Sequence, residues 1–438
     1  MNDKVTLVVS GRYCLPEKGT VLTGSPCVAI AGDTIVELGQ ELWKKYPDAE
    51  HLATPHGLIL PGLVNCHTHA AMSCFRGLAD DLPLMEWLQE HIFPVEAKLT
   101  GEMVYTSTLL SLCEMIKSGT TSFNDMYLFA ADVARAAAKS GMRCWLGEVL
   151  YDFPSPNYGE LENGFAYTED LFAAYKDDPL LTITVNPHAV YTCSPDLLQR
   201  LGCMAEQHKA LLHIHLAENQ DEVTTCLERY GKTPVYHLES LGLLGANMVA
   251  AHCVMLTDEE IALLAEKNVK VAHCQESNMK LASGTAPVVK MLNSGVVVGI
   301  GTDGSASNND VDMFGEMNTV AKIHKVVRQD PTAMDAATTL NAATLGGARL
   351  LGTEKSIGSL EPGKKADIIV LDMDQPHLTP VYNPVSHVVY AVRGSDVLHS
   401  IINGKIIMQD REILTLDEKQ ILADMIQLGA TVRQMRCK

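Results

Sequence analysis

The chain has 438 residues, and 34 Lys and Arg against 53 Asp and Glu leave a formal charge of −19. A chain this acidic is repelled by phosphate backbones, which argues against a nucleic-acid polymer as partner. The longest apolar runs, such as 295–300, fall far short of the roughly 20 residues that span a bilayer, so no membrane partner is expected. The start carries no basic segment followed by an apolar stretch of signal length, and a cytoplasmic protein is the expectation. Twelve cysteines contain no Cys-x-x-Cys pair and sit mostly in apolar runs. That usage predicts packed free thiols rather than a disulfide framework.

Residues 1–57 are short and strand-like, with apolar runs at 5–9 and 28–38 bounded by Gly11, Gly24, Gly32 and Gly39. From residue 58 the pattern alternates. Predicted strands lie at 58–65, 120–124, 143–149, 181–186, 211–216, 248–251, 269–272 and 296–302, with helical stretches between them. Leu109, Leu112, Cys113 and Ile116 repeat at helical spacing, and Gly119 follows as a stop. Ser194-Pro195 starts a further helix, and Thr257-x-x-Glu260 is a capping box before another. Residues 358–410 return to strands, at 367–372, 388–392 and 397–407, the last broken by an Asn403-Gly404 turn. The predicted fold class is α/β: a TIM-like (β/α)8 barrel over 58–357. A small β-sandwich domain is expected from both termini, 1–57 with 358–438, ending in a C-terminal helix.

In such a barrel, chemistry gathers at the C-terminal ends of the strands. The first strand runs into His67-Thr68-His69, and residues two apart on an extended chain face the same side. The fifth runs into His213-Ile214-His215, followed by Glu218; the sixth ends at His252 and the eighth at Asp303. These strand ends would bring His67, His69, His215, His252 and Asp303 to one point. The end of the fourth strand carries no lysine that could bridge two metals. One divalent ion is therefore expected on His67, His69, His215 and Asp303, Zn2+ first and Fe2+ second. Such an ion makes hydroxide available near neutral pH. Asp303 is then the group that takes the proton of the attacking water, and Glu218 the one that carries a proton to the substrate. His252 orients the attacking oxygen or stabilises the addition intermediate.

Three other motifs compete. Gly299-x-Gly301-x-x-Gly304 matches a dinucleotide fingerprint, but Asp303 inside it would face the pyrophosphate. Ser277-x-x-Lys280 matches a nucleophile pair whose companion motifs are missing. His237-x-Glu239 lacks the Pro-Cys-x-x-Cys that accompanies it in cytidine-type deaminases.

The segment Pro61 to His69 (PGLVNCHTH) resembles the first-strand signature of the amidohydrolase superfamily, and Gly358 to Asp367 (GSLEPGKKAD) is similar to the entry into its C-terminal β domain. Arg76 to Asp80, Trp87-Leu88, Pro94 to Glu96, Asn186 to Ser194 and His213 to Glu218 narrow the likeness. They resemble the branch that contains 5-methylthioadenosine/S-adenosylhomocysteine deaminases and triazine hydrolases. That resemblance implies Glu96 as the reader of ribose hydroxyls, His188 as a nucleoside contact and Glu218 as the group handling the purine N1 proton. Trp87 could stack on the base or simply pack. Asp303 and Glu218 would also touch the substrate.

The implied activity is hydrolytic deamination of an adenine nucleoside (methylthioadenosine, S-adenosylhomocysteine or adenosine) by a homo-oligomer. Some members of the branch present an arginine after strand three to the homocysteine carboxylate. Residues 150–164 contain none here, which moves the expectation toward methylthioadenosine or adenosine. The alternatives are hydrolysis of an amino or chloro substituent on a triazine or purine-like ring, and, from another class, a non-catalytic barrel scaffold.

Overall fold

The computed structural model describes residues 4–436. Eight strands follow one another around a ring: β1 (Leu63–Thr68), β2 (Thr120–Tyr127), β3 (Arg143–Leu150), β4 (Leu181–Ile183, continued by Asn186–Pro187), β5 (Leu212–Leu216), β6 (Met248–His252), β7 (Lys270–His273) and β8 (Val297–Ile300). β1 to β4 form one hydrogen-bonded sheet and β5 to β8 another. Parallel bridges Val185–Leu212 and Ala189–His215 join β4 to β5. On the other side, Asp303 N donates to His67 O at 2.9 Å and links the end of β8 to β1. A Cβ on Gly301 would stand 2.7 Å from His67 N, so only glycine permits that approach. The strands are buried on both faces, as strands covered by helices must be. Seven of the expected strands agree to within a few residues, the fourth strand being broken in two. The first, expected at 58–65, is instead two strands, Gly57–Pro61, which pairs with Ile368–Asp372, and the barrel strand Leu63–Thr68.

Helix starts follow the expected local chemistry. Ser194 Oγ accepts from Leu197 N at the head of Pro195–His208, and Thr257 with Glu260 forms a reciprocal capping box on Asp258–Glu266. Gly119, at φ +84°, ends the helix Gly101–Lys117 in the left-handed conformation.

The chain divides into two compact units. One comprises Met1–Asn65, Cys113–Ser122 and Asp312–Asp417. It contains a four-stranded sheet, in the order Thr34–Gln40, Pro26–Ala31, Leu7–Ser10, Glu50–Ala53, and a seven-stranded sheet in which Gly57–Pro61 pairs antiparallel with Ile368–Asp372. Val9, Val28, Ile30, Ile59, Ile368 and Val370 share a single apolar core. Strands from both termini thus build one β-rich layer pair. The other unit comprises Cys66–Leu112, Phe123–Val311 and Glu418–Lys438.

These divisions depart from the boundaries expected at 57/58 and 357/358. The helices Met313–Arg328 and Ala336–Ala342 pack against Pro384–Tyr390 and so join the β-rich unit. The C-terminal helix Glu418–Arg436 packs on Ala70–Phe75 and Phe93–Glu96 in the second unit. One strand expectation is overturned: residues 388–392 belong largely to the helix Pro384–Tyr390. Its Asn383 cap accepts from Ser386 N and its first turn holds Pro384, and these local signals outweigh the β-branched run.

Eleven of the cysteines are free, most of them buried, and Cys437 lies outside the described residues. No described helix is long and apolar enough to cross a membrane.

Candidate active site

The strand ends of the second unit converge. His67 and His69 leave β1, His215 leaves β5, His252 ends β6, and Asp303 stands just beyond β8 at φ +63°. Asp303 Oδ1 lies 3.4 Å from His67 Nε2 and 3.2 Å from His69 Nε2. His69 Nε2 and His215 Nε2 are 3.2 Å apart. Ligand atoms of His67, His69 and Asp303 fall within one small sphere, as do those of His67, His215 and His252. All five residues expected to meet do meet, and His252 comes as close to the cluster as the expected ligands.

Hydrogen bonds on the far side of each ring orient it. His69 Nδ1 is 2.5 Å from Met126 O, and His215 Nδ1 is 2.8 Å from His188 O. Carbonyls only accept, so both Nδ1 atoms carry a proton, and in the neutral rings both Nε2 atoms present lone pairs to each other. His252 Nδ1 is 2.9 Å from Asn278 Oδ1, which turns its Nε2 lone pair the same way. His67 Nε2 is buried without a hydrogen-bond partner, while one proton lies between its Nδ1 and His213 Nε2, 2.8 Å away. Lone pairs facing each other at this range repel, and a cation among them removes the repulsion. The donor set therefore fits a divalent ion of imidazole and carboxylate preference.

Charge follows position. Burial pushes His67 down to about 4 and His188 down to about 3, so both are neutral. Burial also opposes charge on His69, yet the adjacent Asp303 carboxylate lifts it to about 9. On Asp303 burial works upward, but the two imidazoles outweigh it and hold the carboxyl well below its ordinary range. Ser277 and Ser307 hydroxyls donate to Asp303 Oδ2 at 2.6 and 2.9 Å, and Gly304 N donates to Oδ1 at 2.8 Å. Asp303 is thus held ionised. Ser277 is explained by this bond, and Lys280 by its ion pair with Asp80 at 2.6 Å. His237 stacks on the Tyr230 ring instead of joining the cluster.

A cavity opens over the cluster, lined by His69, His215, Glu218, His252 and Asp303 on one side and by Trp87, Glu96, Tyr127 and His188 on others. Glu218 follows Ala217, which turns the chain at φ +51°, and its Oε2 sits 3.9 Å from His252 Nε2. Burial raises the Glu218 carboxyl, favouring the protonated form. Glu222 holds this turn, accepting from Ala217 N at 3.0 Å and Glu218 N at 2.8 Å. Glu96 is likewise raised by burial, and its Oε1 accepts from Tyr127 Oη at 2.7 Å. The Thr192 hydroxyl donates to Ala189 O at 3.2 Å and accepts from His188 Nδ1 at 2.8 Å, leaving His188 Nε2 as an acceptor. Trp87 is buried in the lining, and its indole N–H donates to Ala79 O at 3.0 Å.

The model of the amidohydrolase family matches residues 58–407. This chain belongs to the amidohydrolase family. Over 425 residues the amidohydrolase is 53% identical to a 5-methylthioadenosine/S-adenosylhomocysteine deaminase of Syntrophobacter fumaroxidans, covering 95% of this chain and 97% of that protein. Among solved structures, a zinc-bound adenosine deaminase from Xanthomonas campestris superposes with a TM-score of 0.95 at 38% identity, over 99% of each chain. The zinc complex of an atrazine chlorohydrolase from Arthrobacter aurescens superposes with a TM-score of 0.90 at 23% identity, over 97% of this chain and 100% of that one, which shows the shared fold.

Sequence reasoning missed several residues of this amidohydrolase's site. Tyr127 ends β2 and meets Glu96; Asn278 and Ser277 lie in the short helix Gln275–Lys280 after β7 and meet His252 and Asp303. The signal for Ser277 and Asn278 was their position just beyond a strand end. His213 faces inward with His215, and the same two-residue spacing that singled out His67 and His69 could have placed it.

Proposed function

We propose that this amidohydrolase is a metal-dependent deaminase that replaces the 6-amino group of an adenine nucleoside with oxygen, acting on 5′-methylthioadenosine and S-adenosylhomocysteine. The observation that carries the reading is the pairing of two differently poised carboxyl groups on one cluster. Asp303 is held ionised by His67 and His69 while Glu218, 3.9 Å from His252, is driven toward its protonated form. The likeness at 53% identity to a deaminase of these nucleosides supports the choice of substrate.

His67, His69, His215 and Asp303 would hold the ion, with zinc first in view of the zinc-bound relative. When bound it supplies Lewis acidity that makes hydroxide available near neutral pH. Asp303 accepts a proton from the attacking water, and Glu218 donates its own to purine N1 as the C6–O bond forms. One of the water's two protons then passes through Asp303 to the amine, which leaves as ammonia when the C6–N bond breaks. The other restores Glu218. His252 hydrogen-bonds the oxygen arriving at C6. Glu96 accepts from the ribose hydroxyls, Tyr127 holding one of its oxygens, and neutral His188 offers Nε2 to the nucleoside. Trp87 packs in the wall of the base pocket.

The test is ammonia release from methylthioadenosine, S-adenosylhomocysteine, adenosine, guanine and an aminotriazine by the metal-loaded protein. Release from the adenine nucleosides is the expected result. Release from the triazine alone, or from none, would overturn the reading.

A further inference from the structure

A second chamber of about 590 Å³ adjoins the cavity over the cluster, and Phe93, Glu96, Tyr151 and Tyr191 line both. Because the proposed ribose reader Glu96 stands between the chambers, a nucleoside with its base over the cluster directs its 5′ substituent into the outer one. Most of the outer wall is apolar. Phe153 stacks on Tyr151 at 3.9 Å between ring centroids, and Pro154 and Pro156 extend the surface. Such a wall suits a thioether and a short methylene chain.

Arg229, on the helix Gln220–Tyr230, is the single Lys or Arg lining this chamber. Its Nη1 donates to Tyr191 O at 2.9 Å, and among the described residues it forms no ion pair. The remaining N–H groups of its guanidinium form a fork suited to a carboxylate. The two acids in the chamber wall do not compete for it. Glu222 has both oxygens on backbone N–H groups, and Glu96 is bonded to Tyr127.

We propose that Arg229 binds the carboxylate at the end of an amino-acid-bearing 5′ substituent, making the outer chamber the subsite that admits S-adenosylhomocysteine. The lack of an arginine in residues 150–164 is then met by the helix after β5. This proposal rests on the deaminase reading above.

The experiment compares kcat/KM for S-adenosylhomocysteine and methylthioadenosine in the unaltered enzyme, Arg229→Gln and Arg229→Lys, with metal content and melting temperature confirmed for each. The expected result is a fall of about tenfold or more in the S-adenosylhomocysteine to methylthioadenosine ratio in Arg229→Gln. The loss should sit mainly in KM, with partial recovery in Arg229→Lys. An S-adenosylhomocysteine amide, which lacks the carboxylate charge, should be indifferent to the substitution. An unchanged ratio across the variants overturns the subsite and leaves the deaminase reading standing. An unaltered enzyme that deaminates methylthioadenosine but not S-adenosylhomocysteine overturns the subsite and narrows that reading to methylthioadenosine. Ammonia release from neither nucleoside overturns both.

Discussion

His69 Nε2 and His215 Nε2 face each other across 3.2 Å, and each ring has its Nδ1 proton committed to a carbonyl, Met126 O and His188 O respectively. Neither nitrogen can donate to the other while both rings are neutral. An ion that binds the folded cluster stabilises it by mass action, by about 4 kcal/mol at a thousandfold excess over Kd. Removing metal with a chelator should therefore lower Tm, and adding zinc should restore it. In His215→Ala the zinc-dependent part of the shift should shrink or vanish. A Tm indifferent to chelator and zinc would sink the metal assignment.

Glu218→Gln should retain metal, because no metal-facing nitrogen or Asp303 oxygen depends on it, and lose turnover by about 10²–10⁴. Metal content and single-turnover ammonia release on one preparation check both halves. Full activity would remove the proton-carrying role.

Glu96 and Tyr127 form a 2.7 Å bond inside the cavity. Glu96→Ala should raise KM for nucleosides while leaving inhibition by the free base nearly unchanged. Tyr127→Phe should produce the same pattern more weakly, since it loosens the carboxylate without deleting it. If base and nucleoside respond alike, Glu96 does not read ribose.

Asn278 acts through His252, with Oδ1 2.9 Å from the ring Nδ1 and Nδ2 buried without a partner. Asn278→Ala should lower kcat about 10–100-fold through the freed ring, as loss of an orienting partner does at metal sites. Asn278→Asp, which keeps the acceptor, should recover much of it. Equal losses in the two variants would point to packing instead.

Glu148 lies on β3, where burial raises its carboxyl from the ordinary 4.5 to about 8 while its Oε2 accepts from Ala130 N at 2.8 Å. Between those two pH values the folded chain holds a proton that the unfolded chain has released. The unfolded state then binds fewer protons, so stability falls as pH rises through the window. Glu148→Gln keeps an acceptor and removes the titration. Its Tm should decline less than that of the parent between pH 5 and 9, and parallel declines would contradict the assignment.

The sequence by itself determined the frame of this protein and the groups that end its strands. Period-two spacing put His67 and His69 on one face, and apolar runs closing in His215, His252 and Asp303 marked the mouth of a barrel. Both signals are local, and backbone geometry translates them directly into direction. The hydrogen bonds behind those groups were not legible. His213 meets His67 across 146 residues of chain, Asn278 meets His252 from a different strand end, and Tyr127 meets Glu96 from β2. Only closure of the ring brings them together, and no spacing along the chain encodes a hydrogen bond made that way. Residues 388–392 are a different case: their β-branched run reads as strand, although the local signals Asn383 and Pro384 start a helix there. Arg229 belongs with the bonds that closure decides, a surface arginine in the sequence that the tertiary structure sets in the wall of a chamber beside Glu96. Tertiary packing decided which side chains orient the cluster and which chamber wall carries Arg229, because those are properties of neighbours in space.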